Sequence, residues 1–155
     1  MARYHATLQV PLSCEEAFDF LSDFSNALEW DPGVVGASRL DEGEVALGSE
    51  FRLTTRFLGR TTPLRYEIIE FYPPHAVTFR GENATVVSRD RITFEPAGEG
   101  TKIVYDAGLR LKGALRLADP LLALAFKRIG DRALAGLRER LRGGARQDPS
   151  AVGAL

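Results

Sequence analysis

The order in which two periodic patterns follow one another along the chain constrains its fold more than any other feature. Residues 34–112 alternate apolar and polar side chains between turns rich in Gly and Pro, a pattern typical of half-buried β-strands. From Asp119-Pro120 to Arg142, apolar residues recur instead at helical spacing, at Leu122, Phe126, Ile129, Ala133 and Leu137. This order predicts an antiparallel sheet covered by one long helix, an arrangement that tends to enclose a ligand cavity.

The strand patterns predict seven strands, with two short helices between the first and the second. The strands are expected at residues 4–10, 34–40, 49–58, 61–72, 77–81, 84–95 and 101–112. Ser13 and Glu16 have the spacing of a helix-capping box, and Phe71 departs from the alternation of its strand, which indicates a bulge nearby. The predicted fold class is α+β: a curved seven-stranded antiparallel sheet with two short helices and one long C-terminal helix over its concave face.

The chain length of 155 residues fits one domain, which we expect to cover residues 1–144. Gly143-Gly144 is expected to end the long helix. The small and polar residues 145–155 are expected to form a disordered tail.

Charge is distributed unevenly, although the net charge is only −1. Residues 110–146 contain ten Lys/Arg and three Asp/Glu, which could indicate a surface for nucleic acid or anionic lipid. The basic residues lack interleaved aromatic residues, so a solvent-exposed helix face is the favoured interpretation and no nucleic-acid partner is expected. No apolar run approaches the roughly 20 residues that span a bilayer, so no stable membrane insertion is expected.

No strong catalytic or metal-binding motif is present. His5 lies on the outer face of its strand, His75 lies in a turn, and Cys14 lies on the buried face of a helix. This spacing argues against a Cys-His nucleophile and against a zinc site, so neither a metal nor a cofactor is expected. The single cysteine and the lack of an apolar signal-peptide core fit a cytoplasmic protein.

Asp90 is the main exception to the strand patterns. Alternation places it between Ser88 and Ile92 on a face that is otherwise apolar, where burial would raise the pKa of a carboxyl group. A carboxyl group with a raised pKa can act as a general acid or base, so Asp90 is the one weak catalytic candidate. The alternatives are a slipped register or an ion pair with a neighbouring arginine: Arg80, Arg89 or Arg91.

The inward positions of the strands predict a lining that is aromatic and mostly apolar, typical of a small-molecule pocket. The predicted ligand-binding residues of the sheet are Phe51, Leu53, Phe57, Tyr66, Phe79, Ser88, Asp90 and Tyr105. Leu122, Phe126 and Ile129 of the long helix are expected to form the opposite wall. If Asp90 is functional, a hydroxyl group of Ser88, Tyr66 or Tyr105 would also hydrogen-bond the ligand.

Several short segments, taken in order, resemble the START-like superfamily with the Bet v 1 helix-grip fold (SRPBCC), and most of all its bacterial polyketide cyclase/dehydrase-like members. These segments are Ser13 to Asp23 (SCEEAFDFLSD), Trp30 to Val34 (WDPGV), Gly48 ahead of Phe51, and Gly100-Thr101. The resemblance implies a cavity between the helix and the sheet that binds lipids, polyketides or other apolar molecules. It also implies a place for Trp30 near the cavity mouth, although core packing of the short helix would explain the same residue.

Three function classes follow from these observations. The leading hypothesis is the binding of a small hydrophobic or aromatic molecule, without metal or covalent chemistry. The second is a cyclase or aromatase-type enzyme that acts mainly by positioning its substrate, with acid–base help from Asp90. The third is a protein-interaction module, and a homodimer is possible in each class.

Overall fold

The computed structural model of the chain describes residues 2–57 and 59–146, and these residues form a seven-stranded antiparallel sheet with helices packed against it. The strands are β1 (Ala2–Val10), β2 (Val34–Arg39), β3 (Glu50–Phe57), β4 (Arg60–Tyr72), β5 (Ala76–Glu82), β6 (Val86–Ala97) and β7 (Gly100–Leu111). Their order in the sheet is β1-β7-β6-β5-β4-β3-β2. The α+β class and the seven strands predicted from the sequence are confirmed.

Two short helices lie between β1 and β2, and the long helix follows β7. They are α1 (Cys14–Ser22), α2 (Ala27–Trp30) and α3 (Asp119–Arg146), with 3₁₀ turns at Phe24–Asn26 and Gly113–Ala118. Ser13 caps α1 as predicted, because its Oγ accepts a hydrogen bond from the backbone N–H of Glu16 at 3.1 Å. The cap fixes the point at which the chain leaves β1 and crosses onto the sheet.

The predicted end of the long helix is wrong. The helix does not stop at Gly143-Gly144 but continues to Arg146. Glycine in a helix interior costs about 1 kcal/mol relative to alanine, which weakens a helix without ending it. Most of the predicted tail, residues 147–155, lies outside the described residues, so the domain limits remain a prediction.

The bulge predicted near Phe71 is present, because the pairing of β4 with β5 shifts by one residue between Ile68 and Glu70. Apart from this shift, inward and outward positions alternate along the two strands. Ile68 and Tyr66 are buried and the intervening Glu67 is exposed, as a sheet with one covered face requires. The bulge therefore leaves the inward and outward faces at the other end of β4 unchanged.

Aromatic rings fill one end of the space between the helices and the sheet, which we call the packed end. Its members are Phe18, Phe24, Phe51, Phe79 and Phe94, all of them buried. The ring of Phe24 stacks on that of Phe79 with centroids 4.0 Å apart, and Phe18 meets Phe94 edge to face at 5.4 Å. The core of the domain is thus anchored where α1 and the first 3₁₀ turn cross the sheet.

The long helix lies close to α2 because of a glycine at the crossing. A Cβ atom at Gly136 would lie 2.0 Å from the backbone oxygen of Trp30, so only glycine permits this approach. The following turns of α3 bury Leu137 and Leu141 against the core. This contact fixes the C-terminal half of α3 and leaves its N-terminal half to cover the other end of the sheet.

Candidate functional site

A cavity of about 200 Å³ lies between the N-terminal half of α3 and the sheet, on the side away from the packed end. We call this region the open end. Its wall is formed by Asp31, Gly33, Thr55, Arg56, Thr62, Leu64, Tyr66, Thr85, Val86, Ser88, Leu109, Leu111, Leu122, Phe126 and Ile129. Most of the wall is apolar. Hydroxyl groups, the Asp31 carboxyl group and the Arg56 guanidinium interrupt it, as is usual in sites for small organic ligands.

The cavity lies where the inward side chains of β3 and β6 become smaller. On β3 the inward series runs from Phe51 through Leu53 to Thr55 towards the open end. On β6 it runs from the large apolar side chains of Phe94 and Ile92 to Asp90, Ser88 and Val86. The antiparallel register brings the smaller members to the same end of the sheet, so a helix that packs on the larger ones cannot touch them.

The long helix shows the same division. In its C-terminal half, Ala133, Leu134, Leu137 and Leu141 are buried in the core cluster. In its N-terminal half, Phe126 and Ile129 are only partly buried, and both line the cavity. The ring of Phe126 contacts that of Tyr4 on β1 edge to face, with centroids 6.5 Å apart. Half of α3 therefore belongs to the core and half forms a wall.

A buried hydrogen-bond network connects the sheet to the cavity wall. Oδ1 of Asp90 accepts a hydrogen bond from the Ser88 hydroxyl at 2.9 Å, and Oδ2 accepts one from the Tyr105 hydroxyl at 2.6 Å. Ser88 itself lines the cavity, whereas Asp90 and Tyr105 lie behind it. Because the Ser88 proton is engaged with Asp90, its oxygen, which also lies within reach of the Tyr66 hydroxyl, can act as an acceptor on the cavity side.

Burial raises the pKa of the Asp90 carboxyl group above its ordinary value, although the two hydroxyl donors act in the opposite direction. Asp31, on the cavity wall, has its pKa raised to about 6 by burial and by the charge of Asp90, against a lowering effect of the Gly33 N–H. Burial and the charge of Asp90 also raise the pKa values of Tyr66 and Tyr105, so both phenols stay protonated. The site thus combines two carboxyl groups with raised pKa values and neutral hydroxyl donors.

The alternative explanations of Asp90 do not describe this structure. Asp90 is 8% exposed and faces inward opposite Phe79 and Ala107, so the register has not slipped. The three neighbouring arginines have other partners. Arg80 pairs with Glu82, and Arg89 and Arg91 both pair with Glu70. Asp90 is therefore a buried carboxyl group held by hydroxyl groups rather than by a cation.

The residues predicted to bind a ligand divide into two groups. Five of them line the cavity together: Tyr66, Ser88, Leu122, Phe126 and Ile129. Six lie deeper, in or beside the core: Trp30, Phe51, Leu53, Phe79, Asp90 and Tyr105. The side chain of Phe57 lies outside the described part of the chain. Ligand contact remains a prediction for all of them.

Trp30 is placed by packing rather than by the cavity. It is 4% exposed, and its ring meets that of Tyr105 edge to face with centroids 6.2 Å apart. Trp30 thus supports the phenol that donates to Asp90. This geometry fits core packing of Trp30, and because a mostly buried indole can still line a pocket, its place near the cavity mouth remains a prediction.

Several wall residues were not among the predicted site residues. Leu64, Val86, Leu109 and Leu111 follow the inward alternation of their strands, and that alternation would have found them. Asp31 gave no such signal, because in the sequence it is only the residue that ends α2 ahead of Pro32. Its place on the wall depends on how the turn after α2 packs beside β3.

Among residues 2–57 and 59–146, no group of three or more His, Cys, Asp or Glu side chains is close enough to hold a metal ion. His5 and His75 are exposed, and His5 contacts Asp106 on the outer face of the sheet. Cys14 is buried at the packed end, within 3.5 Å of the Thr101 hydroxyl. None of the three lines the cavity.

The sequence matches a family model over residues 1–142, and the description of that family is polyketide cyclase / dehydrase and lipid transport. The chain belongs to this family. The resemblance inferred from residues 13–23 and 30–34 is therefore confirmed. No curated protein matches the chain in sequence.

Solved structures share the fold at low sequence identity. A Thermus thermophilus protein has a TM-score of 0.77 at 18% identity, covering 94% of this chain and 99% of its own. A START superfamily protein from Mycobacterium smegmatis has a TM-score of 0.75 at 17% identity, covering 91% and 97%. The Zhui aromatase/cyclase of Streptomyces sp. R1128 has a TM-score of 0.73 at 13% identity, covering 94% and 93%. At these identities the likeness establishes the fold alone.

Family membership supports the binding of a hydrophobic ligand or a cyclase activity in general terms. None of the helices in the described part of the chain has the length and apolar character needed to cross a membrane.

Proposed function

We propose that the protein binds a small, mostly apolar molecule in the cavity at the open end. The observation that carries the proposal is the composition of the wall, in which leucine, valine, isoleucine and phenylalanine side chains surround several hydroxyl groups, the Asp31 carboxyl group and the Arg56 guanidinium. Burial of apolar ligand surface would supply the affinity, at about 25 cal/mol per Å². The polar groups would orient one polar atom of the ligand.

Ser88 and Asp31 are the groups best placed to orient the ligand. The Ser88 hydroxyl donates to Asp90, so its oxygen accepts from a ligand hydroxyl group or phenol. The Asp31 carboxyl group lies on the same wall and offers a second acceptor. A phenol or an alcohol therefore fits this wall better than a hydrocarbon of the same shape. The single, buried cysteine agrees with a cytoplasmic site of action.

The proposal is tested with 1-naphthol and 1-octanol as aromatic and aliphatic probes. A ligand that binds only the folded state raises the melting temperature, and at 100 times its Kd the gain is about 2.7 kcal/mol. We expect the wild type to respond to at least one probe. Leu109→Phe, which fills the cavity opposite Ser88, should remove the response.

The control is Val35→Phe, which adds the same ring at an exposed position outside the cavity. It should keep the wild-type response. The absence of any shift in the wild type would contradict the proposal, and so would an equal shift in Leu109→Phe.

A cyclase is the second candidate, and the chain Asp90–Ser88 at the cavity wall is the observation that favours it. In an aldol-type ring closure, Asp90 would take a proton, through Ser88, from the carbon between two carbonyl groups. The resulting carbanion would form a bond to the carbon of a third carbonyl group, farther along the chain of the substrate. The oxygen of that group would become an alkoxide, which Tyr66 or the neutral form of Asp31 would protonate. The cavity would supply the folded conformation of the substrate.

Turnover of a linear poly-β-ketone thioester, followed by mass spectrometry, tests the cyclase. We expect a cyclised product with the wild type. Asp90→Asn should reduce its rate by about 10²-fold or more, the usual worth of a general base. Binding of 1-naphthol without any cyclised product would exclude the cyclase and leave the binding proposal intact.

A further inference from the structure

A second, larger space lies on the surface next to the cavity. A cleft of about 540 Å³ lies beside its mouth, between the first turns of α3 and the turn from β3 to β4. Asp31, Gly33, Arg56 and Ile129 line both spaces, so the cavity and the cleft adjoin one another. The cavity alone is smaller than the roughly 300 Å³ at which sites for drug-sized ligands begin, so a larger ligand would extend into the cleft.

The cleft differs from the cavity in its charge. Three arginines line it: Arg56 from the end of β3, and Arg128 and Arg132, one turn apart on α3. None of the three has an ion-pair partner among the residues that the structure describes. The described acidic residues of this part of α3 and of α2 are engaged elsewhere, since Asp131 pairs with Lys127 and Glu29 with Arg140.

Among the described residues of the cleft wall, Asp31 is the one with a carboxyl group, and it does not neutralise the arginines. Its Oδ1 accepts the Gly33 N–H at 2.8 Å. Its pKa is raised to about 6 by burial and by Asp90, whereas a guanidinium beside it would have lowered the pKa. Even with Asp31 ionised, the cleft carries a net positive charge.

The arginines are joined to the cavity by an apolar surface. Leu121 and Leu124, which are 76% and 67% exposed, line the cleft together with Ala125. Side chains four residues apart on a helix lie about 6 Å from each other, so Arg128 and Arg132 can hold the same group with several acceptor oxygens. An apolar path that leads from an apolar cavity to a cluster of guanidinium groups matches the two parts of an anionic amphiphile.

We infer that the cleft is a head-group site, in which Arg56, Arg128 and Arg132 bind the carboxylate or phosphate of an amphiphile whose apolar body occupies the cavity. This inference rests on the proposed binding function and adds the class of ligand. In the basic segment of α3, Arg128 and Arg132 would then bind the head group beside the mouth of the cavity.

Octanoate and 1-octanol test the inference as a matched pair, because they share a chain and differ in charge. In isothermal titration at pH 8, octanoate should bind the wild type at least tenfold more tightly than 1-octanol. The double variant Arg128→Gln/Arg132→Gln should bind octanoate at least tenfold more weakly and bind 1-octanol unchanged. Its control is Arg138→Gln/Arg142→Gln, with the same spacing and charge loss on exposed positions of the same helix. The control should keep the preference for octanoate.

The outcomes separate the two proposals. If 1-octanol binds and octanoate has no advantage, or if both double variants lose it equally, the head-group site is refuted and the cavity proposal stands. If neither probe binds the wild type, both proposals fall. Transfer of a fluorescent phosphatidylglycerol out of vesicles, abolished only in Arg128→Gln/Arg132→Gln, would identify a membrane lipid as the source of the head group. Octanoate preference without such transfer would identify a free acid.

Discussion

The two ends of the space beneath α3 are built from the same strands and differ in what fills them. At the packed end, inward phenylalanines of β3, β5 and β6 meet Phe18 and Phe24 from the first helical segments. At the open end most inward positions of the sheet are threonine, serine, valine or leucine, with Tyr66 the aromatic member, and the N-terminal half of α3 covers them. A single inward-facing surface thus holds both a core and a cavity because side-chain size changes along the strands.

The two ends are expected to contribute differently to stability and to ligand binding. We expect stability to be concentrated where ring contacts are dense, and the loss of a contact to cost less at the cavity. The hydrogen-bond network of Asp90 lies between the two ends. The ring of Tyr105 packs against Trp30 in the core, and Ser88 lies on the cavity wall. Substitutions at the two ends should therefore affect different measurements.

The largest difference is expected for one substitution made at each end. Phe79→Ala removes a fully buried ring that stacks on Phe24, and such truncations cost about 3–5 kcal/mol. Phe126→Ala removes a partly buried ring from the cavity wall and should cost only about 1 kcal/mol. Urea unfolding followed by circular dichroism measures both free energies.

Phe79→Leu provides a milder variant should Phe79→Ala fail to fold, and its cost should still exceed that of Phe126→Ala. Equal losses at the two positions would show that the open end is packed as tightly as the rest, which would contradict the comparison.

A smaller effect is expected at the boundary, from Asp90→Asn. The amide has one acceptor oxygen where the carboxylate has two, so either Ser88 or Tyr105 loses its acceptor. We expect the affinity for 1-naphthol to fall about tenfold, because Ser88 would no longer present its lone pairs to the cavity. Titration calorimetry gives the affinity, and thermal unfolding should show that the fold is retained.

Thr101→Val is the matched control for Asp90→Asn. Thr101 is also buried, and its hydroxyl donates to the backbone oxygen of Leu12 at 2.7 Å, but it lies at the packed end. Its loss should lower stability by about 1 kcal/mol and leave the affinity for 1-naphthol unchanged. An unchanged affinity in Asp90→Asn would remove Asp90 from the site.

The fold could be predicted from the sequence because its signals are local. Alternation with period two identified the covered face of each strand, and helical spacing from Leu122 to Leu137 identified the inner face of α3. The capping pair at Ser13 and Glu16 located the start of α1 within one residue. The end of α3 was missed because Gly143-Gly144 is a local signal that neighbouring helical turns can override.

The site was less predictable because its location is not a local property. Alternation shows that Phe51 and Phe79 face inward, but it does not tell which end of the sheet is filled. Which end is filled depends on the positions of Phe18 and Phe24, and these follow from how α1 and the first 3₁₀ turn pack across the strands. Asp31 was not predicted as a wall residue for the same reason, because no pattern in the neighbouring sequence indicates that it lines a cavity.

The smallest effect, and the most specific, concerns the protonation of the open end. Asp31 has its pKa raised to about 6 in the folded protein from an unfolded value near 3.8. The folded state therefore binds more protons between about pH 4 and pH 6, and the contribution of this carboxyl group to stability falls as the pH rises through that window. Asp31→Asn keeps an acceptor for the Gly33 N–H and removes the titration. The melting temperature of Asp31→Asn should rise relative to that of the wild type from pH 4 to about pH 6.5, and the difference should then stay level.

Asp41→Asn offers a control of opposite sign, because the hydrogen bond from Arg39 lowers the pKa of Asp41 to about 2. Its stabilising effect is present above about pH 4 and is lost as the pH falls towards 2, so the difference from the wild type should be constant between pH 5 and pH 8. A rise confined to Asp31→Asn would show that the open end, and not the protein surface in general, holds a carboxyl group against ionisation. The same constant difference in both variants would mean that Asp31 is as well solvated as a surface carboxylate, and the cavity wall would then be wetter than its leucines indicate.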